Sequence, residues 1–269
     1  MKFGKMEIVN CLSAFYGKSR FLEISTATTG CMFADVDLAF LSTAHRLAYN
    51  LPSGFQDGAP IEFRSSTLNI DGCVAELERR GARYDIILVD PYHDYERSYR
   101  DIELAFRLLS AGGIMVIHDC LPPSGGNLIS PTYVPGDWCG VTFIAYIDFL
   151  MKENADFVTI DCDYGCGIVR HQTERKPDPL SSLRDAWSAA RGDGERALRF
   201  VSEQKEALCN AITPYEFLTQ LFSEGAKIRN DLDETRNSTC WRMTSPIRRL
   251  ADAIGRKKPA DAVQLSHHA

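Results

Sequence analysis

The chain has 269 residues, 45% hydrophobic and 25% charged, ordinary values for a globular protein long enough to bury a sizeable core. Thirty basic side chains against thirty-six acidic ones give a net charge of −6, which excludes a general polyanion binder. The longest aliphatic runs, Ile86 to Val89 and Ile114 to Ile117, hold four residues each, where a membrane-spanning helix needs about twenty.

The opening MKFGKMEIVN shows no apolar stretch with a small-residue cleavage site, so a cytoplasmic chain without a signal peptide is expected. Nine scattered cysteines, with Cys162 and Cys166 the closest pair, then read as reduced, mostly buried thiols.

In chain order, residues 4 to 16 predict a helix, and Phe21 to Ser25 a short buried strand. Thr26 to Gly30 is a loop. Met32 to Asp37 predicts a second strand, and Leu38 to Asn50 a helix with apolar residues at 38, 41, 44, 47 and 48. Pro52 to Pro60 is a loop, Ile61 to Arg64 a strand, and Ile70 to Arg80 a helix stopped at Gly81. Tyr84 to Asp90 is a buried strand. Arg97 to Ser110 is an amphipathic helix ended by Ala111-Gly112-Gly113, and Ile114 to Asp119 is another strand. A helix over Val141 to Lys152 and strands over Phe157 to Ile160 and Gly167 to Arg170 follow. This alternation predicts a doubly wound, mostly parallel α/β sheet over residues 1–172. A helical extension is expected over 173–238, and a basic, partly disordered tail over 239–269.

In such a sheet, ligands bind outside the carboxyl ends of the strands. That rule selects Ser25 to Gly30, Asp37, Ser65 to Thr67, Asp90 to Asp94 and His118-Asp119-Cys120. No G-x-G-x-x-G follows the first strand and no G-x-S-x-G occurs, which disfavours a dinucleotide oxidoreductase and a serine hydrolase.

Phe21 to Gly30, followed by YDIILVDPYHDYERSYRDIELAFRLLSAGGIMVIHDC from Tyr84 to Cys120, resembles class I S-adenosylmethionine-dependent methyltransferases. The branch it resembles has an Asp-x-x-His-x-Tyr-Glu stretch after the fourth strand, here Asp90 to Glu96. The resemblance implies a Rossmann-like, seven-stranded-type sheet and a bound S-adenosylmethionine. It assigns cofactor contacts to Glu23, Ser25, Thr26, Gly30, Asp37, Ser66 and Asp90, with Asp37 as the ribose carboxylate. O-methyl transfer is the implied reaction, with His93, His118 and Asp119 at the acceptor hydroxyl. By likeness to cation-dependent relatives, Asp90 and Asp119 would hold Mg²⁺; a histidine base is the other option. The first loop departs from the family in having one glycine, at its end, and in lacking the helix that normally follows.

Each residue also has a plain structural reading. Asp90 and Asp119 could cap helices, His118 could be a satisfied core histidine, and Glu23 could pair with a basic neighbour. Trp138, in a Gly-Asp-Trp-Cys-Gly stretch before a helix, is a candidate for stacking on a substrate.

Between 236 and 258 seven basic residues face one acidic residue. Ser238 to Leu250 resembles a segment of bacterial cell-envelope glycosyltransferases and their companion proteins. That points to a small-molecule or glycan acceptor. Ile247, Leu250, Ala251 and Ile254 make a basic amphipathic stretch suited to peripheral membrane contact; a solvated tail on the acidic body is the alternative. No specific nucleic acid is expected, and homo-oligomerisation stays open. A scaffold that keeps the fold without catalysis is the competing function.

Overall fold

The chain's first helix, α1 (Lys5–Tyr16), buries Met6, Ile8, Val9 and Leu12 on one side and ends at Gly17, whose positive φ only glycine adopts freely. The computed structural model describes residues 3–17, 20–26, 33–56, 58–153, 155–172 and 178–224. Next come β1 (Arg20–Thr26), two 3₁₀ turns (Phe33–Asp35 and Leu38–Phe40), β2 (Thr43–Tyr49), β3 (Phe63–Arg64), α2 (Asp71–Arg79) and β4 (Tyr84–Asp90). They are followed by α3 (Tyr95–Leu108), β5 (Leu109–Ile117), a turn over Gly126–Ile129, α4 (Thr142–Lys152), β6 (Ala155–Ile160) and β7 (Cys166–His171). A turn over Ser181–Leu183 leads to α5 (Arg184–Ala190), α6 (Gly194–Glu203), α7 (Lys205–Cys209) and β8 (Ala211–Ile212).

The eight strands form one sheet in the order β3-β2-β1-β4-β5-β7-β6-β8. Strands β3 to β5 are mutually parallel, and β7 runs antiparallel to both β5 and β6. The expected doubly wound α/β architecture is therefore what the chain adopts. Alternation along the strands assigns the two faces. Leu22 and Ile24, Ile87 and Val89, and Met115 and Ile117 share a core with helices α2 to α7. The intervening Phe21, Ile86, Leu88, Ile114 and Val116 are buried outside that cluster, on the face α1 covers.

Two expectations are corrected. The strand expected over Met32 to Asp37 and the helix over Leu38 to Asn50 are replaced by the two short turns and by β2. Leu47, Ala48 and Tyr49 lie in a strand flanked by β1 and β3 and are buried consecutively. Such a doubly covered strand reads as a continuous apolar run and mimics helical spacing over a short window. Gly112 and Gly113 do not stop the helix; they lie inside β5. A β-carbon on Gly113 would come within 3.0 Å of the Tyr84 carbonyl oxygen, at a register shift between β4 and β5. Helices α5 to α7 belong to the first compact unit, Met1–Thr219. Helix α4 is buried almost throughout, so it needs cover on its outer side. Helices α5 and α6 supply that cover: Trp187 donates its ring N–H to Asp148 Oδ1 at 2.7 Å, and Leu198 and Val201 join the same core. A second unit spans 220–269; the basic tail segment from 238 onward lies outside the described residues.

Candidate active site

Parallel pairing of β4 with β5 sets the site. Val89 is opposite Ile117, and the His118 N–H donates to the Val89 carbonyl at 3.0 Å. The next residues, Asp90 on one strand and His118-Asp119 on the other, therefore emerge side by side at the carboxyl edge. His93 follows Asp90 in the loop before α3. Its ring Nδ1 lies 2.6 Å from the Trp138 carbonyl oxygen. A carbonyl only accepts, so Nδ1 carries the proton. Nε2 then faces Asp119 Oδ2 at 2.9 Å and Asp90 Oδ1 at 3.2 Å. His118 Nδ1 lies 3.2 Å from Asp119 Oδ2 and 3.5 Å from Asp90 Oδ1, and its Nε2 lies 3.3 Å from Asp163 Oδ2. All of these groups except Asp163 are buried.

The backbone is bent to make this cluster. His93, Asp119, Asp163 and Tyr164 account for four of the six non-glycine residues with positive φ among the described residues. That conformation is uncommon for residues with a β-carbon and persists where surrounding structure imposes it. Gly140 is part of the imposition. Its φ is 57°, and a β-carbon there would lie 2.0 Å from the His93 carbonyl oxygen, which accepts from the Val141 N–H at 2.8 Å.

The electrostatics follow from burial among opposite charges. Burial alone would lower the His93 pKa, but hydrogen bonds and charge from Asp119 and Asp90 outweigh it and raise the value to about 9. His118 is raised well above its usual value in the same way, chiefly by the charges of Asp119 and Asp90. Burial would raise Asp90, yet Lys5 and His118 hold it well below the ordinary carboxylate range. Hydrogen bonding to His118 brings Asp163 down to about 2. Burial, then the charge of Asp119, pushes the Cys139 thiol up, which keeps it a neutral donor to that carboxylate.

A cavity of about 160 Å³ opens onto the cluster, lined by His93, His118, Asp119, Tyr133, Asp137, Trp138 and Tyr164 among others. Trp138 is fixed by a 2.8 Å bond from its ring N–H to the Ser130 carbonyl, and Tyr133 packs edge-on against it at 5.2 Å. A second cavity of about 330 Å³ lies between α1 and the Phe33–Asp35 turn, lined by Lys5, Glu7, Asn10, Asp35 and Asp163 among others.

Of the expected site residues, Asp90, His93, His118 and Asp119 come together. Asp94, rather than Asp90, is the N-cap of α3, accepting from the Arg97 N–H at 2.8 Å. Glu23 and Ser25 lie on the face α1 covers, in a buried group with Arg46. Ser25 Oγ donates to Glu23 Oε1 at 2.6 Å, and Arg46 Nε lies 3.6 Å from the same oxygen. Thr26 is buried at the last position of β1, and Ser66 is exposed beyond β3. Gly30 lies outside the described residues. The position expected for Asp37 is corrected. It ends no strand; it caps the Leu38–Phe40 turn by accepting from the Ala39 N–H, and its own N–H donates to Asn10 midway along α1. The true second strand ends at Tyr49, and Asn50 follows it.

Two residues of the cluster escape a sequence reading. Lys5 sits in a segment legible only as a helix, and Asp163 in the turn between β6 and β7. The Asp163-Tyr164-Gly165 run was the available signal for that turn.

Asp90, His93 and Asp119 offer one donor atom each, all within 4.8 Å of one another. Mg²⁺ favours an all-oxygen shell, whereas this set includes an imidazole. The second oxygen of Asp90 is also taken by the Lys5 ammonium at 2.5 Å. With His93 between them and Lys5 on the second oxygen of Asp90, the carboxylates of Asp90 and Asp119 do not offer the oxygen-only shell that Mg²⁺ favours.

Among curated proteins, none matches the chain. Similar solved structures include a methyltransferase of Podospora anserina bound to S-adenosylhomocysteine (16% identity, 60% of this chain and 76% of that one, TM-score 0.41). Another is the O-methyltransferase TomG of Streptomyces achromogenes in complex with S-adenosylmethionine (14%, 63% and 82%, 0.42). A third is an O-methyltransferase of Bacillus cereus (13%, 63% and 83%, 0.43). Residues 29–120 match the family model described as a methyltransferase domain, and that stretch carries Asp90, His93, His118 and Asp119.

Proposed function

We propose that the protein is an S-adenosylmethionine-dependent methyltransferase acting on a hydroxyl group. The observation that carries this reading is the Asp90–His93–Asp119 contact set, opening onto an aromatic-walled cavity at the carboxyl edge of the sheet. The methyltransferase-domain match over the same residues supports it.

When bound, S-adenosylmethionine supplies a methyl group on a positively charged sulfur. Its amino-acid end adds an ammonium and a carboxylate. Glu7, Asp35 and Asp163 bring three carboxylates to the 330 Å³ cavity beside α1, acceptors that suit the ammonium, and Lys5 and Asn10 line the same cavity. Neutral His93 accepts the acceptor's hydroxyl proton at Nε2, because Nδ1 is committed to the Trp138 carbonyl. Asp119 then stabilises the imidazolium that forms. Tyr133, Trp138 and Tyr164 offer apolar ring faces and Asp137 a hydroxyl acceptor, which suits a ring-shaped polyol such as a sugar. A role in glycan assembly at the bacterial envelope rests on the tail resemblance alone.

The test is release of S-adenosylhomocysteine with a panel of sugar and phenol acceptors, comparing wild type with His93→Gln. Turnover by wild type and a loss of about 10²–10⁴ in kcat in the variant are expected. A folded protein that turns over none of the acceptors contradicts the reading. The scaffold alternative draws on Asp37, which caps a turn and ends no strand, and on Glu23, which is bonded to Ser25 and paired with Arg46.

A further inference from the structure

Lys5 occupies the first helical position of α1, after the N-cap Gly4, and is buried. Both facts are unfavourable for an ammonium. The N-terminus of a helix is the positive end of its dipole, and a buried charge loses its hydration. The offset is Asp90, whose Oδ2 lies 2.5 Å from Lys5 Nζ, although the two residues are 85 apart in sequence. The helix start is fixed against the site by a second contact. The Lys5 backbone N–H donates to Asp163 Oδ2 at 3.3 Å, and a β-carbon on Gly4 would come within 2.6 Å of that same oxygen. Asp163 is in turn the partner of His118 Nε2.

The consequence concerns what else Asp90 can hold. Its Oδ2 is bonded to an ammonium, and only Oδ1 faces His93 and His118. A divalent cation seated among Asp90 Oδ1, His93 Nε2 and Asp119 Oδ2 would stand one carboxylate away from a fixed positive charge. We propose that Lys5 is a positioning residue of this site, whose ammonium takes at Asp90 the place of a divalent cation. It orients Asp90 and supplies the positive charge from the protein itself. Its effect on turnover rests on the methyl-transfer reading; its effect on cation binding does not.

The experiment titrates Mn²⁺ alone, followed by electron paramagnetic resonance of the free ion, into full-length wild type, Lys5→Met and Lys5→Arg. Wild type and Lys5→Arg are expected to bind Mn²⁺ no tighter than millimolar, and Lys5→Met about tenfold tighter or more, because the repelling charge is gone. Micromolar Mn²⁺ binding by wild type overturns the proposal, and that result needs no variant to fold. Equal affinity in folded Lys5→Met and wild type also overturns it. In the turnover assay, wild type should be unchanged by EDTA, while Lys5→Met loses rate that Mn²⁺ partly restores. Loss in Lys5→Met with no restoration assigns Lys5 a structural role and overturns the proposal. If no acceptor is turned over by wild type, the methyl-transfer reading fails, and the Mn²⁺ comparison still decides the role of Lys5.

Discussion

His93 is held by three neighbours. The Trp138 carbonyl fixes its tautomer, while Asp119 and Asp90 raise its pKa to about 9. The folded value lies above the ordinary one, so this group's contribution to stability is fully present below about pH 6.5 and is lost as pH rises through about 9. In the proposed reaction the dependence runs the other way, since a general base must be neutral. We expect kcat/KM to rise about tenfold per pH unit below about pH 9 and then level off. A profile flat from about pH 6 to 9 would remove His93 as the base. Glu23 makes a contrasting case. It accepts from Ser25 and is paired with Arg46 inside the fold. Glu23→Gln should therefore cost about 3 kcal/mol or more in urea unfolding, because Arg46 loses a buried carboxylate, while donor affinity stays as in wild type. Lost affinity at unchanged stability would restore Glu23 to the ligand.

At the scale of elements, the loops after β4 and β5 matter more than the strands that carry them. The loop after β4 is held by its approach to Gly140, just before α4. Gly140→Ala places a β-carbon against the His93 carbonyl at a left-handed backbone position. A loss of about 2 kcal/mol or more is expected, together with a large loss of turnover. An unchanged denaturation midpoint would show that the loop can yield. Strands β1 and β4 were legible because each is a short apolar run with clear breakers, and β5 was legible over its apolar half, Ile114 to Ile117, but not at its start, where two glycines imitate a helix stop. Also legible was the cluster of Asp90, His93, His118 and Asp119, which follows from where such strands end. Strand β2 was not legible, because its doubly covered run imitates a helical period, and that error carried Asp37 to a strand end it does not occupy. Lys5 and Asp163 were hidden for another reason. Their contacts join α1, the carboxyl ends of β4 and β5, and the turn between β6 and β7, and no local pattern records such contacts.

Across the whole molecule, the hydrophobic core settles where the first unit ends. Trp187, Leu198, Val201, Leu208 and Cys209 are buried in the same core as α3 and α4. A chain cut after Gln172 would expose that surface, and each large apolar side chain so exposed costs about 1.5–3 kcal/mol. It should fail to fold, whereas a chain ending at Thr219 should unfold cooperatively in urea, as a single compact unit does. A cooperative transition in the shorter chain would return α5 to α7 to the status of an appendage. No described helix is long and apolar enough to cross a membrane.

The claim that the carboxyl edge of this sheet binds a methyl donor is tested most directly by calorimetric titration of the full chain with S-adenosylmethionine and S-adenosylhomocysteine. Micromolar affinity for both, with no requirement for added divalent cation, is the predicted result. A folded protein that binds neither at millimolar ligand would contradict the account and leave the scaffold reading in its place.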